Sequence, residues 1–167
     1  TSTGTWDQSQ VWSNGTVVGT SNNGGSTWVK AFNGELEGSS NRALAGNSTY
    51  RLTLTTPITG ITKLEIYGFK YTIAEGGANL DMDVNGTVVA NAGTQTSSWI
   101  DATSYLGGST LNSIAVQGNG GIGASIFGIK VNGVLLVDTG APGAPNASTF
   151  VTGPTQVAAS GTVKLAG

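Results

Sequence analysis

Through the middle of the chain, apolar and polar residues alternate at a period of two, the pattern of strands with one face in a core and the other in water. In YRLTLT, Tyr50, Leu52 and Leu54 alternate with Arg51, Thr53 and Thr55, and Pro57 is expected to end that strand. In ITKLEIYGF, Leu64 and Ile66 face one way while Lys63, Glu65 and Tyr67 face the other. SSWID at 97–101 and LNSIAVQ at 111–117 read as two further short strands. The stretch ASIFGIKVNGVLLVD at 124–138 sets apolar runs on either side of Asn132-Gly133. Such a pair accepts the positive φ of a type I′ turn, so it predicts a tight hairpin. Its VLLV, apolar at consecutive positions, suits a strand covered on both faces. The phrase NGTVV occurs at Asn14 and again at Asn85, and strands over 79–84 and 87–90 predict a second hairpin around Asn85-Gly86. The body therefore reads as an all-β antiparallel sandwich punctuated by Asn-Gly turns.

The flanks follow the same logic less regularly. Residues 1–25 are rich in Gly, Ser, Thr and Asn, with Trp6, Trp12 and one apolar pair, Val17 and Val18, so a loop with one strand is expected. WVKAF at 28–32 and WID at 99–101 look like strand contexts, which place Trp28 and Trp99 in the core. The polar loop ELEGSSNRALAGNS at 35–48 is long for a compact domain and is expected to form a rim or a site. After Asp138 the composition turns to GAPGAPNASTFVTGP. That change predicts a sandwich domain over 1–139, a linker over 140–154 and a C-terminal Pro/Gly-rich arm or strand over 155–167 that docks on the body or on a neighbouring chain.

Composition narrows the partners. With 167 residues the chain is the size of one domain, and its 27 glycines and 10% charged residues describe a turn-rich sheet protein with a polar, mostly uncharged surface. Net charge is −2, and the basic residues Lys30, Arg42, Arg51, Lys63, Lys70, Lys130 and Lys164 are scattered, so no nucleic acid is expected as a partner. No apolar run approaches the roughly 20 residues that span a bilayer, and no membrane insertion is expected. The chain starts at Thr1 without Met, as a processed product or a piece of a longer protein would.

The sequence contains no His and no Cys. That inventory excludes a Ser-His-Asp triad, a Cys nucleophile and a zinc site built on nitrogen or sulfur. Carboxylates remain. Asp81 and Asp83 stand two apart on an expected strand, hence on one face and about 7 Å apart, a spacing an acid and base pair could use. The alternative is a strand edge in solvent with Leu80, Met82 and Val84 turned to the core. DMDVNG also opens like a calcium loop. The twelfth position from Asp81 is, however, Ala92 rather than Glu, and KVNGVLLV repeats the turn with Lys130 in place of the acid. The shared feature is thus the hairpin; no cofactor is expected, with calcium at Asp81 and Asp83 kept as the alternative. Trp6 and Trp12 lie among Asp7, Gln8, Gln10, Ser13 and Asn14. They are candidates for a ring that stacks on a sugar or a partner, or for a segment tucked over the end of the sandwich.

TWVKAFNGE at 27–35, followed by strands and closing on IFGIKVNGVLLVD at 126–138, resembles domains repeated in tail-fibre and other virion structural proteins of phages, especially marine cyanophages. Those domains are similar to discoidin, or galactose-binding-like, jelly-roll modules. The resemblance covers roughly residues 5 to 139 and implies a jelly-roll type sandwich. It also implies a structural calcium in the A-F-D-G loop, where this chain has Asn33 in the acid's place and Glu35 two residues on. The function expected from it is a non-catalytic module of a tail fibre, appendage or capsid decoration, located on the virion surface or outside the cell. Its partners would be other virion proteins, copies of itself or a cell-surface glycan, in a homo-oligomer or bound to a particle. The alternatives are a carbohydrate-binding module of a secreted protein and a small carboxylate-dependent hydrolase.

Overall fold

The computed structural model of the chain describes residues 10–22, 25–72, 79–119 and 122–139. Trp6, the expected linker over 140–154 and the expected arm over 155–167 lie outside the described residues. In chain order the elements are β1 (Gly15–Val18), α1 (Trp28–Ala31), β2 (Ala43–Leu44), β3 (Ser48–Ile58), β4 (Leu64–Phe69), β5 (Tyr71–Thr72), β6 (Asn79–Leu80) and β7 (Met82–Val84). They continue with β8 (Thr87–Val88), β9 (Ser98–Asp101), a short 3₁₀ helix (Thr103–Leu106), β10 (Leu111–Asn119), β11 (Ile122–Gly123), β12 (Ser125–Val131) and β13 (Val134–Leu135).

The first sheet runs β1-β3-β10-β7-β8 with β11 on the end of β10. The second runs β13-β12-β4-β9 with β2 also pairing β12, and β5 and β6 form a small ladder. Pairings in both sheets are antiparallel. The inward residues of both sheets meet in one cluster: Tyr50, Leu52, Leu54, Met82, Val84, Ile114 and Val116 from the first, and Leu64, Ile66, Ile100, Ile126, Ile129 and Val131 from the second. The all-β expectation holds, and the period-two reading of β3, β4 and β10 is what the core uses.

The two Asn-Gly turns that join strands do the same job in different sheets. Asn85 and Asn132 have φ of 51° and 50°, and Gly86 and Gly133 have 84° and 85°, the backbone of a type I′ turn. Each asparagine side chain also grips the start of the strand alongside. Asn132 Oδ1 accepts from the Thr62 and Lys63 amides at 2.8 and 2.9 Å, and its Nδ2 donates to Gly60 O at 3.1 Å. Asn85 Oδ1 accepts from the Asn112 and Ser113 amides at 2.8 and 3.1 Å, and its Nδ2 donates to Thr110 O at 2.8 Å. The donors and acceptors fall at matching offsets, so β4 and β10 are each fixed in register by an equivalent clamp. Val131 then pairs with Leu64 as Val84 pairs with Ile114.

Four local expectations are corrected. Asn14-Gly15 makes no hairpin: β1 starts at Gly15 and lies along β3, so close that a Cβ at Gly15 would stand 2.1 Å from Thr53 O. TWVKAF is not a strand but the helical turn α1. Alternation would bury Lys30 beside Trp28 and Phe32, whereas a helical turn buries Trp28, Ala31 and Phe32 and leaves Val29 52% exposed. Pro57 does not end β3, which runs on to Ile58. Residues 55–57 face neither β1, which stops at Gly15↔Leu54, nor β10, whose register shifts there, so the missing N–H breaks no ladder bond. The fourth concerns Trp99 and defines the site.

Candidate functional site

Trp99 is not in the core: Ile100 takes the inward position on β9, and Trp99 lies half-buried on the outer face of the second sheet. Opposite it on β4 is Tyr67, outward as its alternation predicts. Their rings sit 5.2 Å apart, tilted by 48°. Strand β12 has an irregularity between Ile126 and Gly128, and the extra residue, Phe127, packs beside these rings and is itself buried. Phe127 stands 6.0 Å from Tyr67 and 6.2 Å from Phe69, which completes a continuous row of rings across three strands. At Gly128 a Cβ would fall 2.5 Å from Leu36 Cδ2, so the loop after α1 rests on this face through Leu36.

Charged groups bracket the row. At one end Lys130 Nζ lies 3.9 Å from the Trp99 ring centroid, and Lys63 pairs with Glu65 at 2.9 Å. Beside them the Thr103 hydroxyl and amide donate to the Asp101 carboxylate, which lowers its pKa. At the other end Arg42, from the 35–48 loop, holds its guanidinium carbon 5.8 Å from the centroids of both Phe69 and Phe127. Burial pushes the Arg42 pKa down, and among the described residues no carboxylate pairs with it. Arg42, Leu44, Phe69, Tyr71, Gln95, Ile122 and Gly123 line an open depression of ≈ 230 Å³.

The site residues expected from sequence lie elsewhere. Trp12 is 3% exposed and belongs to the core cluster, the tucked alternative rather than the exposed one. Ser13 explains it: its amide donates to Asp138 Oδ1 at 3.1 Å and its hydroxyl to Asp138 Oδ2, which draws the segment across the end of the sandwich. Trp12 still contributes to the wall of a second depression, with Gln10, Val11 and Leu54. Asn33 and Glu35 form a self-contained turn. Asn33 Oδ1 accepts from the Glu35 amide at 2.8 Å, and Asn41 donates to the Glu35 carboxylate and to Glu37 O.

Asp81 and Asp83 do not act as a pair. Strand pairing is interrupted at Asp81, whose carboxylate faces Lys70 at 4.0 Å. Asp83 is buried and receives both terminal nitrogens of Arg51, at 2.8 and 2.7 Å, across the small side chain of Ala115 on the intervening strand. It also accepts the Gly86 amide at 3.1 Å. Met82 and Val84 face inward, as the alternative reading had them, whereas Leu80 is buried outside the core cluster on the β5-β6 ladder. Among the described residues no three His, Cys, Asp or Glu side chains converge as metal ligands, and no helix is long and apolar enough to cross a membrane. No protein-family model, curated protein or solved structure matches the chain.

The aromatic face was missed in sequence because its rings come from three separated strands and Arg42 from a fourth segment. Only one signal pointed to it: Tyr67 and Phe69 fall on the outward positions of a strand whose inward positions are already apolar.

Proposed function

We propose that the chain is a non-catalytic adhesion module of jelly-roll type, displayed on a phage fibre, appendage or capsid surface, that holds a host-surface glycan on the outer face of its second sheet. The carrying observation is the half-buried rings Trp99, Tyr67 and Phe69, backed by the buried Phe127, laid across paired strands and closed at each end by a cation. A pyranose presents a face of C–H groups with partial positive charge, which suits the negative face of an aromatic ring, while its hydroxyls need polar groups at the rim. A backbone fixed by sheet pairing holds the rings in place before binding, so little conformational entropy is lost when a ligand arrives.

The jelly-roll assignment rests on the way the chain changes sheets between β3 and β4, between β9 and β10 and between β10 and β12. The phage setting rests on the likeness of the Asn33 loop and the Asn132 hairpin to virion domains. A glycan array with the purified chain, followed by titration of the best ligand, tests the reading. Trp99→Ala and Tyr67→Ala are each expected to lower affinity about tenfold, about 1.4 kcal/mol, within the range of a buried ring contact. Full affinity in the double variant, with its fold intact, would remove this face from the reading. Immunogold labelling of particles carrying the chain tests the display.

A further inference from the structure

We infer that the depression at the Arg42 end of the aromatic row is a subsite for a carboxylate, so that the glycan taken by this face is an acidic saccharide; this rests on the adhesion reading above. Three independent features meet there. The first is a cation with no paired acid among the described residues. Arg42 is packed against Phe69 and Phe127, its Nε is buried with no hydrogen-bond partner, and no acid among the described residues pairs with it. The Arg42 guanidinium is only partly buried, and its planar fork matches a carboxylate through two parallel hydrogen bonds.

The second feature is a buried hydroxyl. Ser125 is fully buried, yet its Oγ has no hydrogen-bond partner. In the sheet Ser125 pairs with Leu44 on one side and with Phe69 on the other. Directly paired residues share a face, so Ser125 stands between two residues that line the depression. Buried polar atoms are nearly always satisfied, so an open hydroxyl packed between two lining residues is a place for a bridging water beneath the depression.

The third is Gln95 at the rim. Its φ is 56°, a conformation uncommon for a residue with a side chain, and its amide is tied to Lys70 O at 2.9 Å. The tie fixes the backbone from which its carboxamide reaches sugar hydroxyls. At ≈ 230 Å³ the depression is below the roughly 300–1,000 Å³ of pockets for drug-sized ligands, which suits one sugar ring whose neighbours run out along the aromatic row.

Matched pairs of saccharides test the inference. The purified full chain is titrated with trigalacturonate, a glucuronate-containing disaccharide and sialyllactose, each beside its methyl ester and its sulfated counterpart, so that ring and linkage are constant and the acid alone changes. At least one acid is expected to bind about tenfold more tightly than both its ester and its sulfated counterpart. Arg42→Met, which keeps the packing on the two rings, is expected to bring acid and ester to equal affinity; Arg42→Lys, charged but without the fork, should restore only part of the preference. Unfolding curves of both variants show whether the fold is kept, and the wild-type comparison of acid and ester stands whatever they show. Equal binding of acids and esters, tighter binding of sulfate esters, or an unchanged preference in folded Arg42→Met overturns the carboxylate subsite and leaves glycan adhesion standing. Failure of every saccharide in the array and the titrations overturns both.

Discussion

Asp83 accepts three hydrogen bonds, two from Arg51 and one from the Gly86 amide, which ties an edge hairpin to the long central strand β3. Breaking such a pair leaves a charge without its partner, and Asp83→Ala is expected to lower stability by about 3 kcal/mol in urea unfolding. The double variant Arg51→Met with Asp83→Leu should recover most of that loss, because an apolar pair of similar shape has no desolvation to offset. Asp101 offers a pH test. Its pKa is lowered below the ordinary 3.8, first by the Thr103 hydroxyl and then by the Thr103 amide. A carboxylate with a lowered folded pKa adds stability that is fully present above the unfolded value and lost as pH falls through the folded one. Thr103→Val should therefore raise the Asp101 midpoint in an NMR titration. It should also be less stable than wild type at neutral pH, with the gap narrowing below about pH 4. The bond that Leu64 N donates to Thr103 Oγ1, 2.9 Å, is lost as well, but that loss does not depend on pH.

At the level of elements, the asparagine clamps separate two reasons for an Asn-Gly turn. Positive φ alone would be met by glycine, so Asn132→Gly keeps the turn and removes only the side-chain contacts to Gly60, Thr62 and Lys63. At about 0.5–1.5 kcal/mol per hydrogen bond, reduced here by exposure, the expected loss is about 1–3 kcal/mol. Asn14→Gly is the internal control and should change stability by less than about 0.5 kcal/mol, since the Asn14 amide donates to Val11 O and its carbonyl accepts from the Thr55 hydroxyl, both backbone groups that glycine keeps. The hairpins themselves were legible, as were the inward faces of β3, β4 and β10, because period-two alternation and turn chemistry are local. The errors arose where a distant neighbour decides. Pro57 is tolerated because no strand reaches it on either side, and Trp28 leaves strand geometry because Lys30 would otherwise be buried. Trp99 and Ile100 are both apolar, so alternation could not say which one faces in. The 35–48 segment reads as one polar loop, yet it contains β2 with Ala43 and Leu44 buried against β12, and neither that pairing nor the meeting of Arg42 with Phe69 and Phe127 was legible.

For the molecule as a whole, the ends of the described body close on each other. Asp138 donates its amide to Phe32 O at 2.8 Å and takes the amide and hydroxyl of Ser13 on its carboxylate, which ties the two ends of the described body together. Val137 is buried and Asp138 is 4% exposed, so both belong to the packed body. A chain ending at Thr139 should therefore unfold cooperatively at the same urea midpoint as the full chain, whereas Asp138→Ala in that shortened chain should lower the midpoint. The same two chains separate folding from attachment. If the Pro/Gly-rich segment after 139 fastens the module to its particle or to copies of itself, sedimentation will show the full chain associating and the shortened one as a monomer. Both should bind glycan alike, since Trp99, Tyr67 and Arg42 lie within the body. Equal association of the two chains would instead assign assembly to the sandwich, where the edge strand β1 exposes Val17 and Val18 to a neighbouring strand.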